Sequence, residues 1–321
     1  VRGVVDSEDL PLNISREILQ HNPALAKIRK ALTKRVFTEL TKKAEKAPDD
    51  YAAFWDNFGA VMKEGLYEDN DNRETLFKLA RFRSTTQDGL TSLADYVARM
   101  KDGQDAIFYI AGEDAAAVAQ SPQLEGFKAK GVEVLLLTDP VDEFWIPSVG
   151  AFADKPFKSA TRGGADLSKI GKPDADKKDD DAKDAEPKDE AKDTAAVEPL
   201  IAVFKVALGD KVKDVRASER LTDSPVCLVA DEGDMDMNIE RLLKAHNQLK
   251  EVTPRVLEIN PDHGLIAKLA RKAKAAEGID PTVEEAAFLL LDQARIVEGE
   301  PLADPLAFSR RMAAVMEKGL A

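Results

Sequence analysis

Apolar residues recur at helical spacing near the start of the chain. The first run follows Asn22 and Pro23, a favourable helix start because Asn caps a first turn and Pro fits within it. It contains Leu25, Ile28, Leu32, Val36 and Leu40. Pro48 breaks this helix, and two more helices are predicted around Phe54–Met62 and Arg73–Phe82. The pattern indicates a small helical unit over about residues 22–84, with its aromatic residues in the core.

From about residue 91 the pattern changes to buried strands separated by short helices. Ser92 is placed to open a helix, and the strands are predicted at 106–110 and 132–137. Ser121 and Pro122 divide the intervening segment into two short helices. A strand–helix–strand order over this length predicts a small α/β unit with parallel strands.

The last third of the chain predicts a mixed domain. A helix over 200–208 precedes three strands at 213–218, 225–230 and 256–260. An amphipathic helix follows the second strand, and two helices open near Pro281 and Asp304. Between this domain and the α/β unit, residues 172–198 are rich in charge and Ala, so we expect a flexible linker over 159–198.

The composition of the chain argues against several classes of function. The net charge is −13, from 59 acidic and 46 basic residues, so nucleic acid is not an expected partner. No apolar run reaches the roughly eighteen residues of a membrane span. The single cysteine, Cys227, lies in an apolar run and is predicted to be a buried hydrophobe, which suits a reducing cytoplasm.

The sequence offers little metal or nucleotide chemistry of its own. Asp234, Asp236 and Asn238 have calcium-loop spacing, but Ile239 stands where a glycine is needed and Ala245 where a chelating Glu belongs. The three histidines are far apart, so no metal site is predicted. The segment after the first α/β strand has one glycine, which is too few for a dinucleotide-binding turn.

A phosphate-binding function is one interpretation of residues 10–20. A helix opening at Ser15 would place Arg16 and Gln20 on one face. The planar guanidinium of Arg16 suits a phosphate group. The alternative is a surface ion pair of Arg16 with Glu17 or Asp9, and residue types alone favour this alternative.

Six segments, in order along the chain, resemble the ninety-kilodalton heat-shock chaperones, and most closely their bacterial branch. They are Asp6-Ser7-Glu8-Asp9-Leu10-Pro11-Leu12-Asn13-Ile14-Ser15-Arg16-Glu17, Leu32-Thr33-Lys34-Arg35, Leu93-Ala94-Asp95-Tyr96-Val97, Val132-Glu133-Val134-Leu135-Leu136-Leu137-Thr138-Asp139, Asn260-Pro261-Asp262-His263 and Leu290-Leu291-Asp292-Gln293-Ala294. The resemblance implies that Arg16 and Gln20 are catalytic and reach the γ-phosphate of ATP. That ATP, with Mg, would be bound by an N-terminal domain upstream of residue 1, and this fragment alone would bind no cofactor and be inactive.

The resemblance also implies partners. In bacterial relatives a Trp near residues 144 and 145 contributes to client binding, and in the family a projecting helix in the dimer cleft contacts unfolded clients. The candidate client-binding residues are therefore Phe144, Trp145, Met235, Ile239, Leu242 and Leu243. From the residues alone, the aromatic pair could equally pack on the sheet, and the helix face could equally be core. The C-terminal helices imply a homodimer through Phe288, Leu291, Leu306, Met312 and Met316. Co-chaperones are further candidate partners.

The expected fold class is α/β, or α+β, in four parts. Residues 1–90 are the end of a large middle subdomain with the catalytic loop and helical unit, and 91–158 are a small α/β subdomain. Residues 159–198 are the linker, and 199–321 form a dimerisation domain. The expected function is ATP-dependent remodelling of client proteins. The alternatives are a dimerising adaptor without ATP coupling, and a free-standing α/β enzyme, for which residues 91–150 lack a nucleophile motif and an acid–base pair.

Overall fold

The computed structural model describes Val4, residues 23–163, Leu167, Ile170, and residues 194–249, 253–276 and 278–320. The chain divides into two compact units, Val1–Arg81 and Phe82–Ala321. The mixture of helices with two sheets confirms the expected α+β class.

The described part of the first unit contains three helices: α1 (Pro23–Lys46), α2 (Pro48–Glu68) and α3 (Arg73–Leu79). These three helices were predicted. The hydroxyl of Tyr51 on α2 donates a hydrogen bond of 2.7 Å to the carbonyl oxygen of Leu79, which joins α2 to the end of α3. The expectation that the aromatic run is core holds for Trp55 but is wrong for Phe58, which is more than half exposed. The buried face of α2 runs through Tyr51, Trp55 and Gly59, and Phe58 lies about 60° from Trp55 on the solvent side of that face.

The second unit begins with a five-stranded sheet. Its strands are β1 (Arg83–Ser84), β2 (Ile107–Ala111), β3 (Leu135–Leu137), β4 (Ala151–Phe152) and β5 (Lys155–Ser159), in the order β1-β3-β2-β5-β4. β2 and β3 pair in parallel, as predicted, although β3 is shorter than the apolar run that predicted it. The helices are α4 (Leu93–Ala98), α5 (Ala115–Val118), α6 (Glu125–Ala129) and α7 (Asp142–Val149).

The rest of the second unit is built on a three-stranded sheet. β6 (Asp214–Ala217) and β7 (Val226–Val229) flank β8 (Val256–Ile259), parallel and antiparallel to it respectively. Five helices accompany these strands: α8 (Glu198–Leu208), α9 (Met237–Ala245), α10 (Gly264–Ala275), α11 (Pro281–Val297) and α12 (Pro305–Leu320). Residues of α8, α10 and α11 form one core with the sheet. Cys227 is buried in β7, which confirms the prediction for it.

Residues at the start of the predicted linker are packed against the rest of the unit. Ser159 ends β5, and Ala160 and Thr161 are buried. The Arg220 guanidinium donates hydrogen bonds of 2.6 Å to the carbonyl oxygen of Ala160 and 2.9 Å to that of Arg162. These residues therefore belong to the fold, while residues 171–193 lie outside the described part of the chain.

Candidate functional site

The two aromatic residues proposed to contact clients point in different directions. Neighbouring positions on a helix differ by about 100°. Accordingly, Phe144 on α7 is 58% exposed while Trp145 is 0% exposed. Trp145 Nε1 donates a hydrogen bond of 2.7 Å to Asp142 Oδ1, and its ring lies edge-on to Phe157 with centroids 5.2 Å apart. Phe144 is the member of this pair that a partner can reach, and Trp145 belongs to the core.

The amphipathic helix α9 begins at an Asp cap. The carboxylate of Asp236 accepts a hydrogen bond of 3.0 Å from the backbone N–H of Asn238. Met237 and Glu240 point inward and are buried. Met235 precedes the helix and is exposed, and Ile239, Leu242 and Leu243 are half-buried. The predicted apolar set thus lies along the boundary between core and solvent.

The C-terminal helices differ in how they are buried. Leu291 on α11 is a core residue, and Phe288 is half-buried beneath the guanidinium carbon of Arg311, 4.6 Å from the ring centre. In contrast, none of the residues described on α12 is buried. Its exposed apolar side chains include the predicted Leu306, Met312 and Met316 and two residues that were not predicted, Val315 and Leu320. Val315 follows Met312 by three positions, and this helical spacing is the signal by which the sequence could have indicated it.

The residues predicted to act on phosphate and the histidine near α10 stand differently in the structure. Arg16 and Gln20 lie outside the described residues. His263 caps the start of α10, where its Nδ1 atom accepts a hydrogen bond of 3.2 Å from Leu265 N. Among the described residues there is no group of three or more His, Cys, Asp or Glu side chains placed to hold a metal ion.

Polar side chains join the five-stranded sheet region to the three-stranded one, and the sequence patterns did not reveal them. Glu125 at the start of α6 accepts hydrogen bonds of 2.7–3.2 Å from the backbone N–H groups of Thr222, Asp223 and Ser224. Gln123 Nε2 donates 2.7 Å to the carbonyl oxygen of Leu228 in β7. Burial alone would raise the pKa of Glu125, but the hydrogen bonds from Ser224, Asp223 and Thr222 together hold this pKa below its usual value.

Comparison with known proteins gives the class of this chain. The family model described as "Hsp90 protein" matches residues 1–321. The chain therefore belongs to the Hsp90 family, as its sequence motifs predicted.

Within this family, the chain is similar to bacterial proteins that share one name. Proteins named "Chaperone protein HtpG" from Paramagnetospirillum magneticum, Roseobacter denitrificans and Rhodospirillum rubrum are 60%, 57% and 53% identical to it. Each match covers 100% of this chain, whereas the chain spans about half the length of each of these relatives, 50%. Within the part of the chain that the structure describes, no helix has both the length and the apolar character needed to cross a membrane.

Proposed function

We propose that this chain is the client-holding and self-associating part of an ATP-dependent molecular chaperone of the cytoplasm. Membership of the Hsp90 family supports the chaperone assignment. Self-association is supported by the exposed apolar face of α12. It exposes five large apolar side chains, Leu306, Met312, Val315, Met316 and Leu320. Burying each against a partner is worth up to about 1.5–3 kcal/mol.

A second copy of the chain is the proposed occupant of this face. Two copies related by a two-fold axis bring identical surfaces together, which is the commonest form of a homo-oligomer. α12 packs along α11 on one side, so the exposed apolar residues are available to the α12 of a partner. Such a dimer holds two client-binding arms at high effective concentration. Phe144, Met235, Ile239, Leu242 and Leu243 are the proposed client contacts.

ATP coupling is proposed through Arg16 and Gln20. Their resemblance to the family motif supports a role at the γ-phosphate of ATP bound, with Mg, by a nucleotide-binding domain outside this chain. An arginine that contacts this phosphate in only one conformation would favour that conformation when ATP is bound. Co-chaperones are candidate partners of the same assembly.

The test of self-association is the molecular mass in solution. Deleting residues 281–321 is unsuitable because Val283, Ala287 and Leu290 are core residues. A double variant, Met312→Glu with Met316→Glu, changes only exposed positions of α12. We expect sedimentation equilibrium to give a dimer for the parent chain and a monomer for this variant.

The control adds a single glutamate, half the new charge of the double variant, on another side of α12. Ala314 is exposed and lies two residues from both Met312 and Met316, which places it about 200° around the helix from each. Ala314→Glu is expected to leave the dimer intact. A monomeric parent chain, or a double variant that remains dimeric, would contradict the proposed interface.

A further inference from the structure

A cavity of about 620 Å³ lies between α9, the residues leading into β8, and the end of α11 with the loop that follows it. This is within the size range of small-molecule sites. Five cationic side chains line it, against three carboxylates. The cations are Lys211, Arg241, Lys244, Arg255 and Arg295, and the carboxylates are Asp210, Glu298 and Glu300. Two carboxylates outside the lining pair with cations of the cavity, Glu240 with Arg255 and Asp292 with Arg295. The lining itself still has more cations than carboxylates, although the net charge of the chain is −13.

Arg255 is the buried cation of this cavity. Its side chain is 4% exposed, and its Nη2 atom contacts the Glu240 carboxylate. Its Nε and Nη1 atoms are buried, and none of the described residues provides a hydrogen-bond partner for them. Leaving a buried donor unpaired costs about 1–3 kcal/mol, and more for a charged group. An acceptor in the cavity would remove that cost.

A second guanidinium at the cavity, that of Arg241, also has a buried N–H group. Arg241 Nη1 donates a hydrogen bond of 2.9 Å to the carbonyl oxygen of Glu298, and Nη2 donates 3.1 Å to Asn238 Oδ1. Its Nε atom is buried and has no hydrogen-bond partner in the part of the chain that the structure describes. Arg241 on α9 and Arg255 just before β8 therefore line the same cavity, and each has a buried N–H group without a partner among the described residues.

Glu300 and Glu298, the carboxylates nearest to these buried donors, neutralise their positive charge only in part. Glu300 Oε1 is 3.9 Å from Arg255 Nε, which is beyond hydrogen-bond distance. Burial, reinforced by the charge of Glu300 and opposed by the charges of Arg241 and Arg255, raises the pKa of Glu298 to about 7. Near neutral pH the carboxyl of Glu298 therefore carries only part of a negative charge.

The remaining lining of the cavity is largely apolar. It includes Leu228, Met237, Pro254, Leu291, Pro301 and Leu302. Carboxylates pair well with arginine, because both groups are planar and the hydrogen bonds are charge-assisted. We propose that this cavity binds a small amphipathic carboxylate, with its charged end at Arg255 and Arg241 and its apolar body against Leu228, Met237 and Leu291.

Three probes separate the contributions of the two ends of such a ligand. Decanoate carries both a carboxylate and a chain, 1-decanol carries the chain alone, and inorganic phosphate carries charge alone. In isothermal titration calorimetry of the chain, we expect decanoate to bind one site per chain at least tenfold more tightly than either of the others. Equal affinity for decanol, or for phosphate, would overturn the proposal.

Two variants test the position of the site. Glu240→Gln with Arg255→Gln removes both members of the buried ion pair, so neither charge is left unpaired. Lys211→Gln with Lys244→Gln changes exposed side chains at the rim and is expected to leave the fold unchanged. We expect decanoate affinity to fall at least tenfold in the first variant and about threefold in the second.

A matched control removes an ion pair elsewhere on the surface. Lys205→Gln with Asp214→Asn deletes a pair whose atoms are 2.6 Å apart and which does not line the cavity. Its decanoate affinity is expected to equal that of the parent. If the buried-pair variant does not fold, the rim variant decides the question. Unchanged affinity in the rim variant would then overturn the proposal, as would unchanged affinity in a folded buried-pair variant.

Discussion

Asn238 Nδ2, in the first turn of α9, donates a hydrogen bond of 2.6 Å to Oε1 of Glu143 on α7. Glu143 is buried at this contact between the two sheet regions. Burial raises its pKa to about 7, with the hydrogen bond from Asn238 and the charge of Arg241 opposing and the charges of Asp236 and Asp142 reinforcing the shift. The Glu143 carboxyl, which accepts this hydrogen bond, therefore titrates near neutral pH.

Glu143→Gln is predicted to stabilise the chain at high pH. The pKa of Glu143 is about 7 in the folded state, above the ordinary value of 4.5. Its stabilising contribution is therefore complete below about pH 4.5 and is lost as the pH rises through 7. Gln is neutral at every pH and keeps an oxygen for Asn238. We expect the free energy of unfolding of the variant to exceed that of the parent by about 1–3 kcal/mol at pH 8. At pH 5 the two free energies of unfolding should be nearly equal.

Urea unfolding of both proteins at pH 5 and pH 8 measures this difference. Glu219 is exposed, so Glu219→Gln is a control for loss of one negative charge. The control is expected to change the free energy of unfolding by less than about 0.5 kcal/mol at either pH. An equal effect of Glu143→Gln at both pH values would show that its proton is not coupled to folding.

Gly126→Ala is predicted to destabilise the contact between α6 and the segment after β6. A Cβ atom at Gly126 would lie 2.8 Å from the carbonyl oxygen and 2.9 Å from the Cα of Arg220. Backbone atoms cannot rotate away, so the two segments must separate. Such overpacking costs about 1–3 kcal/mol. The separation would also weaken the hydrogen bonds that Glu125 accepts from residues 222–224.

Gly89 provides the matched control for this change, because a Cβ added there has no atom within 4 Å. Thermal unfolding of both variants is the measurement. We expect a clear fall in Tm for Gly126→Ala and almost none for Gly89→Ala. Equal Tm values for the two variants would mean that α6 and the Arg220 segment can shift apart without loss.

Local features of the fold could be predicted from the sequence because they depend on neighbouring residues. Ser92 Oγ accepts a hydrogen bond of 3.1 Å from Asp95 N at the start of α4, and Asp280 caps α11 in a similar way at 2.7 Å. β2 and β7 are continuous apolar runs that are buried throughout. In each case the structural cause lies within a few residues of its effect.

Contacts between distant segments could not be predicted in this way. β5 has the sequence Lys-Pro-Phe-Lys-Ser, which lacks an apolar run, and it forms a strand because it pairs with β2. The Arg220 side chain that holds residues 160 and 162 comes from about sixty residues further along the chain. The roles of Arg16 and Gln20 depend on resemblance alone, since the residue types by themselves favoured an ordinary ion pair.

Substitutions at Phe144 and Trp145 are predicted to separate client binding from stability. Phe144→Ser alters an exposed side chain, so we expect weaker suppression of client aggregation and a change of less than about 0.5 kcal/mol in stability. Trp145→Ala removes a fully buried side chain and the hydrogen-bond donor to Asp142, and should cost about 3–5 kcal/mol. Aggregation assays with a chemically unfolded client, beside urea unfolding, measure the two effects. Full chaperone activity of Phe144→Ser would remove this residue from the proposed client contacts.

Arg16→Ala is predicted to slow ATP turnover in a protein that carries this chain together with its nucleotide-binding domain. Loss of one donor to a developing charge reduces the rate roughly a hundredfold or more. Arg16→Lys keeps the charge but loses the planar set of donors, so it should restore only part of the rate. Steady-state phosphate release is the measurement.

The control for Arg16 is another arginine of the same chain. Arg271 lies exposed on α10, and its Nε atom donates 3.3 Å to the carbonyl oxygen of Ala267 in the same helix. Arg271→Ala is expected to leave ATP turnover unchanged, which would show that lowering the positive charge by one is not itself responsible. Turnover that is the same in Arg16→Ala and Arg271→Ala would favour a dimerising adaptor, whose client binding does not depend on ATP.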